Sequence, residues 1–117
     1  MSDLAYDADL TLLAGVGTTP TAEDSQGLGL ITRTAQDTVW ARAGLDHRTR
    51  SAITLALLAG LGRDDELALH VRAALGNGLT ADEIGEVLLH TAAYADLPAA
   101  NSAFACTEQV LRDEGAL

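Results

Sequence analysis

Residues 64–78 read DDELALHVRAALGNG, and their spacing decides what kind of chain this is. Charged and apolar residues recur at the helical period, and a glycine-rich stop, Gly76-Asn77-Gly78, ends the run. At 100° per residue, with Glu66 as zero, Asn77 falls at about 20° and His70 at about 40°, while Arg72 and Asp65 fall at about 240° and about 260°. The second stripe is the wet face of an amphipathic helix. The first is flanked by Leu67, Val71 and Ala74 on one side and by Leu69 and Ala73 on the other. A surface helix needs one polar stripe, so the other is a candidate site.

Outward from this helix, the chain is punctuated in the same way. Asp46 is a good N-cap for a helix through RTRSAITLALLAGLG to Gly62. Asp64 is read as the cap of the opening stretch. Thr80 and Glu83 have capping-box spacing, which starts a helix reaching about Tyr94. Pro98 sits in the first turn of a last helix, to about Asp113. Upstream, a helix is expected from about Leu28 to Ala41, before Gly44 breaks it. Residues 1–26 differ in kind: MSDLAYDADLTLLAGVG has room for one short helix, and TTPTAEDSQG is a turn-rich connector. Apolar residues make up 48% of the chain and aromatics only 3%. The apolar share is Leu and Ala, which favour helix over strand. The expectation is one all-α domain over 1–117, a compact helical bundle.

Seventeen acids face seven arginines and no lysine, for a net charge of −10. Such a chain repels phosphate backbones and anionic lipid, so neither nucleic acid nor membrane is expected as a partner. An anionic substrate would need a site made locally positive by a few arginines. Cys106, the single cysteine, excludes a disulfide framework, a CxxC redox centre and a cysteine-based zinc site, and is read as a small buried apolar residue. With no signal region and no membrane-length apolar run, the chain reads as soluble and cytoplasmic. Ile53, Leu55, Leu57, Leu58 and Leu61 cover about 200° of their helix, more than so short a chain is expected to bury, which points to a homo-oligomer.

Glu66 and His70 are one turn apart, so their side chains can meet. One reading makes them a general acid/base pair, the carboxylate fixing the imidazole tautomer and raising its basicity. In the other they only line a partly solvated groove and bond to each other. Arg50, on the side of Leu57 and Leu61, is either a snorkelling arginine at a helix end or one aimed into a pocket. A metal site joining His70 with His47 or His90 is not supported by the spacing. His90 shares a stripe with Glu83, Glu86 and Tyr94, and His47 lies in an exposed first turn. Gly76-Asn77-Gly78 ends a helix instead of preceding one, the wrong place for a phosphate loop.

Several motifs fall in order between Gly29 and Arg112: Trp40 followed by Arg42-Ala43-Gly44-Leu45, then RTRS at 48–51, ELALHVRAA at 66–74, NGLTADEI at 77–84 and LPAAN at 97–101. In this the chain resembles the carboxymuconolactone decarboxylases. The resemblance implies the all-α fold shared with alkyl hydroperoxidase D, assembled as a trimer or hexamer. The peroxidase relatives work through C-x-x-C-x-x-x-H. Here His70 matches that histidine, while Arg63 and Glu66 stand where the cysteines would be, so disulfide redox chemistry is absent.

What the resemblance further implies is cofactor-free decarboxylation of 4-carboxymuconolactone to the enol-lactone of 3-oxoadipate, in aromatic catabolism through protocatechuate. The departing carboxylate's electrons flow through the ring alkene to the lactone carbonyl, so the substrate carries its own electron sink. The protein must anchor the second carboxylate, stabilise the oxyanion and protonate carbon. His70 is the expected proton donor, with Glu66 setting its protonation state. Arg50 is the expected carboxylate anchor and Arg72 the second-rank anchor, facing away from His70 on the wheel. Trp40 either walls the pocket or belongs to the core.

Departures from the pattern are a longer N-terminal segment in the family, a tryptophan near Gln36, a proline at Ala43 and a glycine at Asp96. The last adds a negative charge beside the P-A-A-N turn. They leave room for another unsaturated lactone or keto acid in specialised metabolism, or for a non-catalytic oligomer that binds a ligand or a partner enzyme.

Overall fold

A computed structural model describes residues 35–117, so the expectations for 1–34 lie outside the described residues. The chain divides into two units, Met1–Gly44 and Leu45–Leu117. In the first, residues 35–40 are helical, and a turn follows in which the Ala41 amide bonds the Asp37 carbonyl at 3.0 Å. The second unit consists of four helices: α1 (His47–Gly60), α2 (Asp64–Gly76), α3 (Ala81–Tyr94) and α4 (Leu97–Asp113).

The local signals explain where each helix starts. Asp46 caps α1, its carboxylate accepting from the Thr49 amide at 2.7 Å. Bonds from the Thr49 side chain and then its backbone N–H hold the Asp46 carboxyl below its ordinary pKa. Thr80 and Glu83 form the reciprocal capping box of α3, with bonds of 3.1 and 3.0 Å. Pro98 lies in the first turn of α4, where its missing N–H leaves no intrahelical bond unmade.

The start of α2 corrects the sequence reading. Arg63 is the N-cap and makes no side-chain cap bond, while Asp64 is already helical. The Asp64 carboxylate reaches across to α4 and accepts from the Ser102 hydroxyl. Acids at Asp64, Asp65 and Glu66 still complement the positive end of the helix. Helices α1 and α2 end alike. At Gly62 (φ +72°) and Gly78 (φ +99°) the backbone turns left-handed, which glycine adopts without the clash a Cβ brings. The next amide then bonds back to the last turn, Arg63 to Leu58 at 2.9 Å and Leu79 to Ala74 at 3.0 Å.

Helix α1 packs on α2 and α3, and α4 closes on the same two. Leu55, Leu67, Val71, Ile84 and Leu88 fill the middle. The apolar girth of α1 is only partly used there: Leu55 and Leu58 are buried, whereas Ile53, Leu57 and Leu61 are 44%, 58% and 68% exposed. Among the described residues no helix is long and apolar enough to cross a membrane.

Candidate functional site

The stripe that opened the sequence reading is the seam of α2. Leu67, Val71 and Ala74 face the core, and Leu69, Arg72 and Ala73 are exposed. His70 and Asn77 lie between, half-buried. His70 is therefore an imidazole at the border of a packed face, with exposed Leu69 and Ala73 on its open side. Such a group keeps access to a ligand while losing part of its solvent.

Glu66 is one turn from His70, yet its carboxylate is held by Arg63 Nη1 at 3.1 Å and not by the histidine. A guanidinium three residues back outcompetes an imidazole four residues ahead, since a charge-assisted bond is the stronger. Arg72 is committed elsewhere as well, its Nε donating to Glu114 at 3.1 Å. It points away from His70, as the wheel requires. Arg50 is half-buried on the first turns of α1, its Nε withdrawn from solvent. Trp40 lies in the first unit, at the end of the helical segment 35–40, and is half-buried.

The end of α1 that carries Arg50 is tied down by contacts that no local pattern announces. Arg48 pairs with Glu83 at the start of α3. Ser51, 3% exposed, accepts from Asn77 Nδ2 at 2.9 Å, joining α1 to the end of α2. The serine of RTRS and the asparagine of the stop were both visible in the sequence, but 26 positions apart and on separate helices.

His47 is exposed. So is His90, whose ring lies 5.2 Å from that of Tyr94. His90 and Tyr94 border an apolar groove of about 500 Å³ between α1 and α3, lined also by Ile53, Leu57 and Leu61 and, among the described residues, by no acidic side chain. The sequence reading put His90 on a solvated or interfacial stripe with Glu83, Glu86 and Tyr94, but the groove itself was not legible there, because its other wall belongs to α1. Cys106 is half-buried instead of buried, its thiol donating to the Asp64 carbonyl at 3.4 Å. Burial first, then the charges of Asp64 and Asp65, push that thiol's pKa up. Among the described residues no three His, Cys, Asp or Glu side chains are grouped as metal ligands.

Helix α2 thus carries one histidine, on a half-buried seam, and the neighbouring α1 carries Arg48 and Arg50. The sequence model of the carboxymuconolactone decarboxylase family matches residues 27–109, and the chain belongs to that family. It is 49% identical over 85 residues to the 4-carboxymuconolactone decarboxylase of Acinetobacter baylyi, covering 73% of this chain and 63% of that protein. It is 44% identical over 87 residues to the nitrosuccinic acid decarboxylase npaB of Metarhizium robertsii, covering 74% of this chain and 61% of that one. The chain thus spans less than two thirds of the length of these curated relatives.

Proposed function

We propose that this chain is a decarboxylase that needs neither metal nor organic cofactor, with 4-carboxymuconolactone as its first candidate substrate and protocatechuate catabolism in the cytoplasm as its setting. Membership of the family and two relatives named as decarboxylases support the reaction type. The two named substrates share a chemical feature. Loss of carbon dioxide beside a nitro group leaves a nitronate, and its loss in conjugation with a lactone carbonyl leaves a dienolate. Each substrate accepts its own electron pair, so the protein has only to bind, desolvate and protonate.

Within that reading each residue has a task. Arg50 holds the carboxylate that stays. As the other C–CO2 bond breaks, the pair moves through the ring alkene onto the lactone oxygen. His70 delivers a proton to carbon and regains one from solvent, closing the cycle. Glu66, one turn away and steadied by Arg63, is the carboxylate that works beside the proton donor. Arg72, paired with Glu114 and turned away from the His70 of its own chain, serves as a second positive charge where a site is shared between subunits. The observation that carries the reading is the placement of His70 on the half-buried seam of α2, in a chain of this family.

Homo-oligomerisation belongs to the same proposal. The groove face of α1 and α3 leaves Leu57, Leu61 and Tyr94 58%, 68% and 83% exposed, without an acid among its lining residues. A chain of charge −10 can approach its own copy most cheaply there. The test of function is direct. Purified full-length protein is given 4-carboxymuconolactone and, separately, nitrosuccinate, and released carbon dioxide is measured. Turnover of the lactone supports the reading; turnover of nitrosuccinate alone moves the substrate to the nitro acid; release from neither contradicts it.

A further inference from the structure

The contact between Ser51 and Asn77 has no part in the reaction as written, yet it joins the two helices that the reaction needs. Among the described residues three buried polar ones stand among the apolar: Ser51, Thr91 and Thr107. Thr91 bonds back to Val87 on its own helix at 2.9 Å. Ser51 instead accepts from a residue of another element, Asn77. An amide–hydroxyl bond between a half-buried and a buried partner holds two elements in one axial register, because sliding either helix leaves polar groups unmatched away from water.

That register fixes the backbone at Arg50. Its neighbour Ser51 is held by Asn77, its carbonyl accepts from Thr54 Oγ1 at 2.8 Å, and Arg48, two residues before it, is paired with Glu83. On the other side, Asn77 closes α2, its own amide bonded to the carbonyls of Ala73 and Ala74 at 2.9 and 3.1 Å. It shares the seam of α2 with His70, about 10 Å away along the axis at 1.5 Å per residue. We infer that Ser51 and Asn77 are positioning residues: their hydrogen bond sets where the Arg50 guanidinium stands relative to His70, and so the spacing between the anchored carboxylate and the proton donor. The inference rests on Arg50 and His70 having the roles proposed above.

The test uses the full-length chain and two variants, Asn77→Ala and Ser51→Ala, the second removing only the acceptor oxygen in case the first does not fold. Nitrogen-15 relaxation at the Arg50 Nε reports order at the guanidinium without any substrate. Kinetics with 4-carboxymuconolactone report its use. In either variant the Nε order parameter should fall. The KM should rise by about tenfold, the signature of a weakened ground-state anchor, while kcat changes much less. In an Arg50→Ala background the same substitutions should add almost nothing, because residues acting through one another are not additive. A merely structural bond would lower the melting temperature and leave both Nε order and KM alone at 20 °C. Unchanged Nε order in folded variants overturns the inference. If order falls but neither these variants nor Arg50→Ala changes KM, the hydrogen bond does place Arg50, and the anchoring role assigned to Arg50 is what fails.

Discussion

Replacing Leu57 by aspartate should dissociate the assembly without unfolding the chain. Leu57 is 58% exposed on the acid-free groove face of α1. Taking a leucine as roughly 180 Å², an interface over this face hides about 100 Å² of it, worth about 2.5 kcal/mol at about 25 cal/mol per Å². Loss of that term alone weakens association by about 60-fold. The new carboxylate weakens it further, since a buried unpaired charge costs several kcal/mol more. The four-helix unit should survive, because its core lies on the opposite side of α1, at Leu55 and Leu58. Size-exclusion chromatography with light scattering at micromolar protein should give an oligomer for the wild type and the mass of one chain for Leu57→Asp, with equal helical circular dichroism. A monomeric wild type, or a variant that keeps the wild-type mass, would refute the reasoning.

Thr80→Ala removes half of the capping box and should cost about 1 kcal/mol, read as a lower urea midpoint with an unchanged slope; an unchanged midpoint would contradict the cap's role. Because burial and the neighbouring acids raise its pKa, Cys106 carries less thiolate at pH 8 than a free cysteine. Iodoacetamide should therefore modify it more slowly than glutathione, with the rate still climbing as pH rises; a rate equal to glutathione's would be the wrong outcome. Extended treatment with EDTA should leave turnover of 4-carboxymuconolactone intact, and activity lost to the chelator and restored by a divalent ion would oppose the cofactor-free mechanism.

The helices of the second unit were legible because each carries its own punctuation. Asp46, the Thr80–Glu83 box, Gly62, Gly78 and Pro98 act within a turn or two of themselves, so no tertiary knowledge was needed. Asp64 was misread for a related reason. An acid at a helix start suits both the cap and the first turn, and the choice was made by Ser102, which approaches from α4. Glu66 shows the same limit inside one helix. Spacing offers both Arg63 and His70 as partners, and the charge of the guanidinium decides between them. The seam with His70 and Asn77 could be drawn on a wheel. Its continuation onto α1 through Ser51 could not, because periodicity describes one element and that hydrogen bond joins two. The groove beside His90 was hidden by the same fact.

The role of His70 is the centre of the account, and one substitution tests it. Gln keeps much of the size and hydrogen bonding of the imidazole but cannot shuttle a proton. Wild type and His70→Gln, matched for circular dichroism, melting temperature and oligomeric mass, are compared for carbon dioxide release from saturating 4-carboxymuconolactone. General acid catalysis contributes typically ~10²–10⁴-fold, so the account predicts a fall in kcat of that order with fold and assembly intact. A His70→Gln protein that keeps wild-type turnover would contradict it.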